Sequence, residues 1–168
     1  NKFATRKAKI YESNGEVWHR TGDVGYFDDQ GRIWFCGRKA HMCNSGDETY
    51  YSVKVEYCFS GLAGINRVAL VNISLHGQKV LALCIEPTQR FMSPTARRTI
   101  VTDIVQVARR YRIPLRVIAF HARQFPVDKR HHAKIERHLL AKWVQDSLTR
   151  LRCNWAIYHV SMTNIAAR

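Results

Sequence analysis

Two apolar runs rich in β-branched residues, 68–73 (VALVNI) and 79–85 (KVLALCI), flank the turn residues His76-Gly77-Gln78. Runs this short fall below the usual length of a helix, and a glycine between them allows the left-handed backbone of a tight turn. The pair therefore reads as a hairpin. Because neither run alternates cleanly with polar residues, both faces of these strands need cover, which places the hairpin at the centre of a sheet.

The elements around it follow from local signals. Upstream, residues 16–20 (EVWHR) and 32–36 (RIWFC) alternate polar and apolar around Asp28-Asp29-Gln30-Gly31, the pattern of a small β meander. Asn44-Ser45-Gly46-Asp47 marks a second turn, and 51–59 reads as a short helix. Downstream, Ser93 is placed to cap a helix with Pro94 at its first position, and Ile100, Val101, Ile104, Val105 and Ala108 share one helical face. Pro114 separates that helix from a strand over 115–120, and the loop 124–128 (QFPVD) precedes an amphipathic helix predicted over 134–148. That helix is expected to turn Ile135, Leu139, Trp143, Val144 and Leu148 inward. The fold class is α+β: a small mixed sheet with two or three packed helices, preceded by the meander. Residues 149–168 carry neither a clear period nor a motif.

Composition narrows the function class. Hydrophobic residues make up 46% and charged residues 24% of the 168, a globular balance, and no apolar run reaches the roughly 18 to 20 residues of a membrane helix. The default compartment is the cytoplasm. The five cysteines form no CxxC pair and the eight histidines no metal-ligand spacing, so the thiols read as reduced and no metal is assigned. Lys and Arg outnumber Asp and Glu 27 to 13, for a net charge of +14, which suits polyanionic partners. Nucleic acid and phosphate-bearing small molecules both qualify, but no nucleic-acid-binding motif is present. The chain opens Asn1-Lys2-Phe3 without methionine and reads as part of something longer.

Thr21-Gly22-Asp23 combines a glycine that lets a ligand approach the backbone with a carboxylate able to accept from vicinal hydroxyls. An ordinary turn accounts for the same triplet. Gly37-Arg38 adds a guanidinium fork suited to phosphate or ribose oxygens, or to a surface salt bridge. In combination, Thr21-Gly22-Asp23-Val24-Gly25-Tyr26-Phe27-Asp28, Gly31-Arg32, Gly37-Arg38 and the stretch from Gly46 to Val55-Glu56 resemble the adenylate-forming superfamily. A second landmark, Phe125-Pro126-Val127-Asp128-Lys129-Arg130-His131-His132-Ala133-Lys134-Ile135, looks like that superfamily's C-terminal loop. There a proline precedes the catalytic lysine by about eight residues, and Lys134 is the match.

The resemblance covers roughly residues 16–145 and is strongest to bacterial olefin-pathway β-lactone synthetases and fatty acyl-CoA ligases. It implies ATP-dependent activation of a fatty or β-hydroxy fatty acid as an acyl-adenylate, followed by β-lactone and AMP, with a CoA thioester as the alternative product. Asp23 would hold the ribose hydroxyls and Arg38 would lie near ribose and phosphates, while His131 and His132 are possible contributors from the loop. Lys134 would act in the first half-reaction, where carboxylate attack on the α-phosphorus brings two anions together. One ammonium at 4 Å offers each about 4 kcal/mol of gross attraction at an effective dielectric near 20.

The same resemblance divides the chain into 1–38, the end of a large ATP-binding domain, 39–148, a C-terminal lid, and the tail 149–168. ATP and Mg2+ would be bound mainly by the large domain, and olefin-pathway enzymes would be partners. Two positions depart from the pattern. The hinge, usually Asp or Lys, is Ala40, and a usual glycine is Asp47, which leaves CoA uncertain. The alternatives are an inactive remnant and a basic nucleic-acid-binding module.

Overall fold

The computed structural model describes residues 8–128, 134–149 and 156–161. Three small antiparallel pairs come first: β1 (Lys9–Tyr11) with β2 (Val17–His19), β3 (Asp23–Phe27) with β4 (Ile33–Arg38), and β5 (Cys43–Ser45) with β6 (Glu48–Tyr50). A single 3-10 turn, Lys39–His41, joins the second pair to the third. The helix α1 (Ser52–Phe59) leads into β7 (Ile65–Leu75) and β8 (Gln78–Pro87), then α2 (Pro94–Arg110), β9 (Leu115–Phe120), α3 (Arg137–Thr149) and β10 (Ile157–His159).

The central sheet has the order β10-β9-β8-β7. Its β7–β8 and β9–β10 pairs are antiparallel and β8–β9 is parallel, so the sheet is mixed. The predicted hairpin turn is present, with His76 and Gly77 both at positive φ, as a two-residue hairpin connection requires, but only β8 is central and β7 forms the sheet's edge. Residues 80–85 of β8 are all buried because the sheet is covered on both sides. Leu81, Leu83 and Ile85 join α1 and α2 in one core, with Phe59, Ile100 and Ile104. Val80, Ala82 and Cys84 join the opposite core, with Leu140 and Val144 of α3. In β9 a register shift beside Leu81 leaves Arg116 out of the ladder, so Leu115 faces one core and Val117 the other.

Helix α2 starts as read: Ser93 Oγ accepts from the amide of Ala96 at 3.1 Å, with Pro94 in the first turn and Arg109 and Arg110 in the last. Three details differ from the sequence reading. Strand β4 pairs with 23–27, while 17–19 pairs with 9–11, because β3 follows directly on the Gly22 turn and occupies that edge. The last helix begins at Arg137 and not at 134, because Ile135 is held in an antiparallel bridge to Val127. That later start places Leu140 in the core and leaves Leu139 exposed. Finally, the unassigned tail supplies β10, which pairs with β9 through Ile157↔Ala119 and places Ile157 in the α3-side core.

Candidate active site

Asp23 opens β3 and Arg38 closes β4, directly opposite it in the ladder. Their side chains meet at 3.2 Å, Arg38 Nε to Asp23 Oδ1, and both stay substantially exposed. An exposed pair of this kind contributes about 0–1 kcal/mol, so a ligand can replace it at little cost. Around it, the Lys39 amide donates to the Gly22 carbonyl at 2.8 Å and the Asp23 amide to Thr21 Oγ1 at 3.2 Å. Ala40 sits, exposed, in the 3-10 turn that follows.

Helix α1 packs against the end of β4. Gly37 has φ +119, and a Cβ there would meet Val53 Cγ2 at 3.1 Å, so the bare backbone permits the approach. Lys54 Nζ lies 4.7 Å from the centre of the Tyr26 ring, a cation–π contact between α1 and β3.

Lys134 is exposed and lies at the neck of its loop, not on the helix. The Asp128 amide donates to its carbonyl at 2.9 Å, and the Glu136 amide to the Pro126 carbonyl at 2.8 Å. His131 and His132 lie outside the described residues. Lys134, Arg137 and Arg38 converge electrostatically on His41 of the 3-10 turn. Partial burial, then the charges of Arg137, Lys134 and Arg38, hold its imidazole below the ordinary pKa. Arg137 Nη1 is 3.3 Å from His41 Nδ1, so the neutral ring accepts there and carries its proton on Nε2. A cleft of about 190 Å3 beside this turn is walled by Ala40, His41, Leu70, Asn72, Arg137 and Ala141. A larger cleft, about 360 Å3, opens beside Glu86, Arg90 and Arg123, and neither Asp23, Arg38 nor Lys134 lines it.

Two ion pairs escaped the sequence reading. Glu56 and Arg137 form a bidentate ion pair, with Nη2 at 2.7 and 2.9 Å from the two carboxylate oxygens and side chains only 14% and 15% exposed. Burial pushes the Glu56 carboxyl up, against the opposing pull of Arg137. Glu86 is buried and pairs with the partly exposed Arg67. Burial there also disfavours the charge, but hydrogen bonds from Arg67, the Phe125 amide and Asn66 outweigh it and hold the pKa below the ordinary value. The signal available in sequence was a glutamate beside Val55 and another ending the apolar run of β8, each requiring a cation.

No family model matches the chain. The olefin β-lactone synthetase of Stenotrophomonas maltophilia is 40% identical over 150 residues, covering 86% of this chain and 27% of that protein. The protein of the same name from Xanthomonas campestris is 41% identical over 145 residues, covering 83% and 26%. Among solved structures, the anthranilate CoA ligase AuaEII in complex with anthranoyl-AMP superposes with a TM-score of 0.71 at 19% identity, covering 89% of this chain and 28% of that one. The architecture is that of the C-terminal domain of adenylate-forming enzymes. The chain belongs to this superfamily, with olefin β-lactone synthetases and acyl-CoA ligases among its homologues. It spans about a quarter of the length of the curated relatives it matches, 27% and 26% for these two.

Among the described residues no helix is long and apolar enough to cross a membrane, and no group of three His, Cys, Asp or Glu side chains is placed to hold a metal ion.

Proposed function

We propose that this chain is the lid, with the last strands of the domain before it, of an enzyme that activates a β-hydroxy fatty acid with ATP and closes it to a β-lactone. The observation that carries this reading is the 40% identity to an olefin β-lactone synthetase over 150 residues, 86% of the chain. In this reading residues 1–38 belong to the larger domain and 39–148 to the lid, with the turn at Ala40 as the pivot between them.

Each residue then has a task suited to its chemistry. Asp23 accepts from the ribose hydroxyls, and Arg38, released from Asp23, donates to ribose or phosphate oxygens. In the first half-reaction an acid oxygen attacks the α-phosphorus and pyrophosphate leaves. Lys134 lies between the two anions and stabilises the charge that builds on the phosphorus oxygens. A magnesium ion accompanying ATP would neutralise phosphate charge, and in this reading the preceding domain would hold it. In the second half-reaction the β-hydroxyl oxygen bonds to the acyl carbon, AMP leaves with the bonding pair, and the hydroxyl proton passes to a base. The nucleophile is tethered to the adenylate, so its effective concentration is high and no incoming thiol is needed.

The test joins this whole chain to the preceding part of the S. maltophilia synthetase. With a 2-alkyl-3-hydroxy fatty acid, ATP and Mg2+, the chimera should release lactone and AMP with or without CoA. Lys134→Ala should lower acid-dependent ATP–pyrophosphate exchange by on the order of 10²–10³-fold while supplied acyl-adenylate is still consumed. AMP release that depends strictly on CoA, with a thioester product, would replace the lactone reading with the second one. That alternative, a fatty acyl-CoA ligase, is favoured by the 29% identity over 101 residues to the long-chain-fatty-acid–CoA ligase FadD13 of Mycobacterium tuberculosis.

A further inference from the structure

The loop that carries Lys134 is tied to the domain at both stems, and each tie ends on a carboxylate, Glu86 buried and Glu56 largely so. On the incoming stem the Phe125 amide donates to Glu86 Oε2 at 2.5 Å. The same oxygen accepts from Arg67 Nη2 at 2.6 Å and Nε at 3.1 Å, and Asn66 donates to the other oxygen. Phe125 is itself buried, with the Arg67 guanidinium 5.7 Å from its ring centre. On the outgoing stem Arg137, three residues beyond Lys134, makes its bidentate pair with Glu56. Glu56 Oε1 also accepts the Leu70 amide of β7 at 2.8 Å. Between the stems, the Val127–Ile135 bridge closes the neck on which Lys134 sits.

We infer that Glu86 and Glu56, with Arg67 and Arg137, are positioning residues that clamp the neck of the Lys134 loop to the central sheet and so set where the ammonium is presented. The inference rests on the role proposed for Lys134 above. Neither carboxylate touches substrate in this scheme, and both act through the backbone they hold. The two ties are not redundant, since one fixes the chain before the neck and the other the chain after it. With both in place the Lys134 carbonyl is held by the Asp128 amide and the residue after it by the bridge to Val127. Arg137 also bonds His41, which couples the outgoing stem to the turn at Ala40. A lysine at 137 has one ammonium and cannot reproduce a two-oxygen fork together with the imidazole contact. The need for geometry is steep, because a displacement of about 1 Å at a reacting group can lower a rate on the order of 10²-fold.

The test uses the chimera described above with the near-isosteric Glu86→Gln and Glu56→Gln and the charge-keeping Arg137→Lys, and reads both half-reactions in the same preparation. Expected is a roughly 10- to 100-fold fall in kcat for ATP–pyrophosphate exchange. KM for ATP should change by no more than about threefold, and consumption of supplied acyl-adenylate should stay near the unsubstituted rate. The second half-reaction serves as the folding control, since a merely structural role would lower both together. Parallel loss of both half-reactions, or unchanged exchange in variants where Lys134→Ala still abolishes it, overturns the clamp and leaves the lysine's role standing. If Lys134→Ala is itself silent, the parent reading fails and the clamp fails with it.

Discussion

The strands of the meander at 8–38 and those of the sheet β7–β10 are both rich in apolar side chains, yet they treat them in opposite ways. In the sheet, Leu70, Leu81, Leu83, Ile85, Leu115 and Ile118 are completely buried between helices. In the meander, Phe27 is 70% and Ile33 71% exposed, and Trp18, Trp34 and Phe35 are about half exposed. Two-stranded ribbons have little interior, so their order comes from short-range polar contacts. Asp28 shows how. Its carboxylate accepts Trp34 Nε1 at 2.7 Å, Arg32 Nε at 2.7 Å, and the amides of Gln30 and Arg32 at 3.0 and 2.9 Å. The difference teaches that the sheet is complete in itself, whereas the meander presents an apolar face suited to burial against another surface, as the proposed preceding domain would supply.

The largest effect expected from this contrast is in the sheet. Leu83→Ala removes three side-chain carbons packed between α1, α2 and β8, and should lower stability by about 2–5 kcal/mol in urea unfolding of the chain. A loss below about 1 kcal/mol would mean that the sheet is not the cooperative core.

A smaller, local effect is expected from acid. The Trp34 indole first, joined by the Arg32 and Gln30 donors, holds the Asp28 carboxyl at about 2 against the opposing cost of desolvation, from an ordinary value of 3.8. A depressed carboxylate contributes stability that is present above 3.8 and is lost as pH falls toward about 2. Amide exchange at Gln30 and Arg32 should therefore accelerate through that window, and earlier than in β8. Asp28→Asn should flatten the dependence, and simultaneous opening of both regions would erase the distinction drawn between them.

The smallest effect is predicted for Ile33→Thr, which replaces an exposed β-branched residue with a polar one that keeps strand preference. In the chain alone the change in stability should stay within about 0.5 kcal/mol. In the chimera, where the face is proposed to be covered, the same substitution should cost more. Equal effects in the two settings would show that the meander's apolar face has no partner there.

Much of the fold was legible without coordinates. The hairpin around His76-Gly77, the capped α2 with its Ile100–Ile104–Ala108 stripe, and strand β9 each announce themselves through short-range chemistry: a left-handed turn, a serine cap, a helical period. Asp23, Arg38 and Lys134 were singled out from motif spacing, and the structure places the first two in contact and the third at the neck of its loop.

Pairing and start points were not legible, because they depend on competition between segments. Strand β3 won the edge of β4 over the residues at 17–19, and the Val127–Ile135 bridge delayed α3 until Arg137. The sequence by itself determined the central hairpin, α2 and β9, and which side chains can carry charge to a phosphate, since these follow from residue type and spacing. Only the tertiary structure decided that Glu56 finds Arg137, 81 positions away, and that Glu86 finds Phe125, 39 positions away. A buried carboxylate must be met by donors, but the chain does not specify which donors until packing brings them within 3 Å.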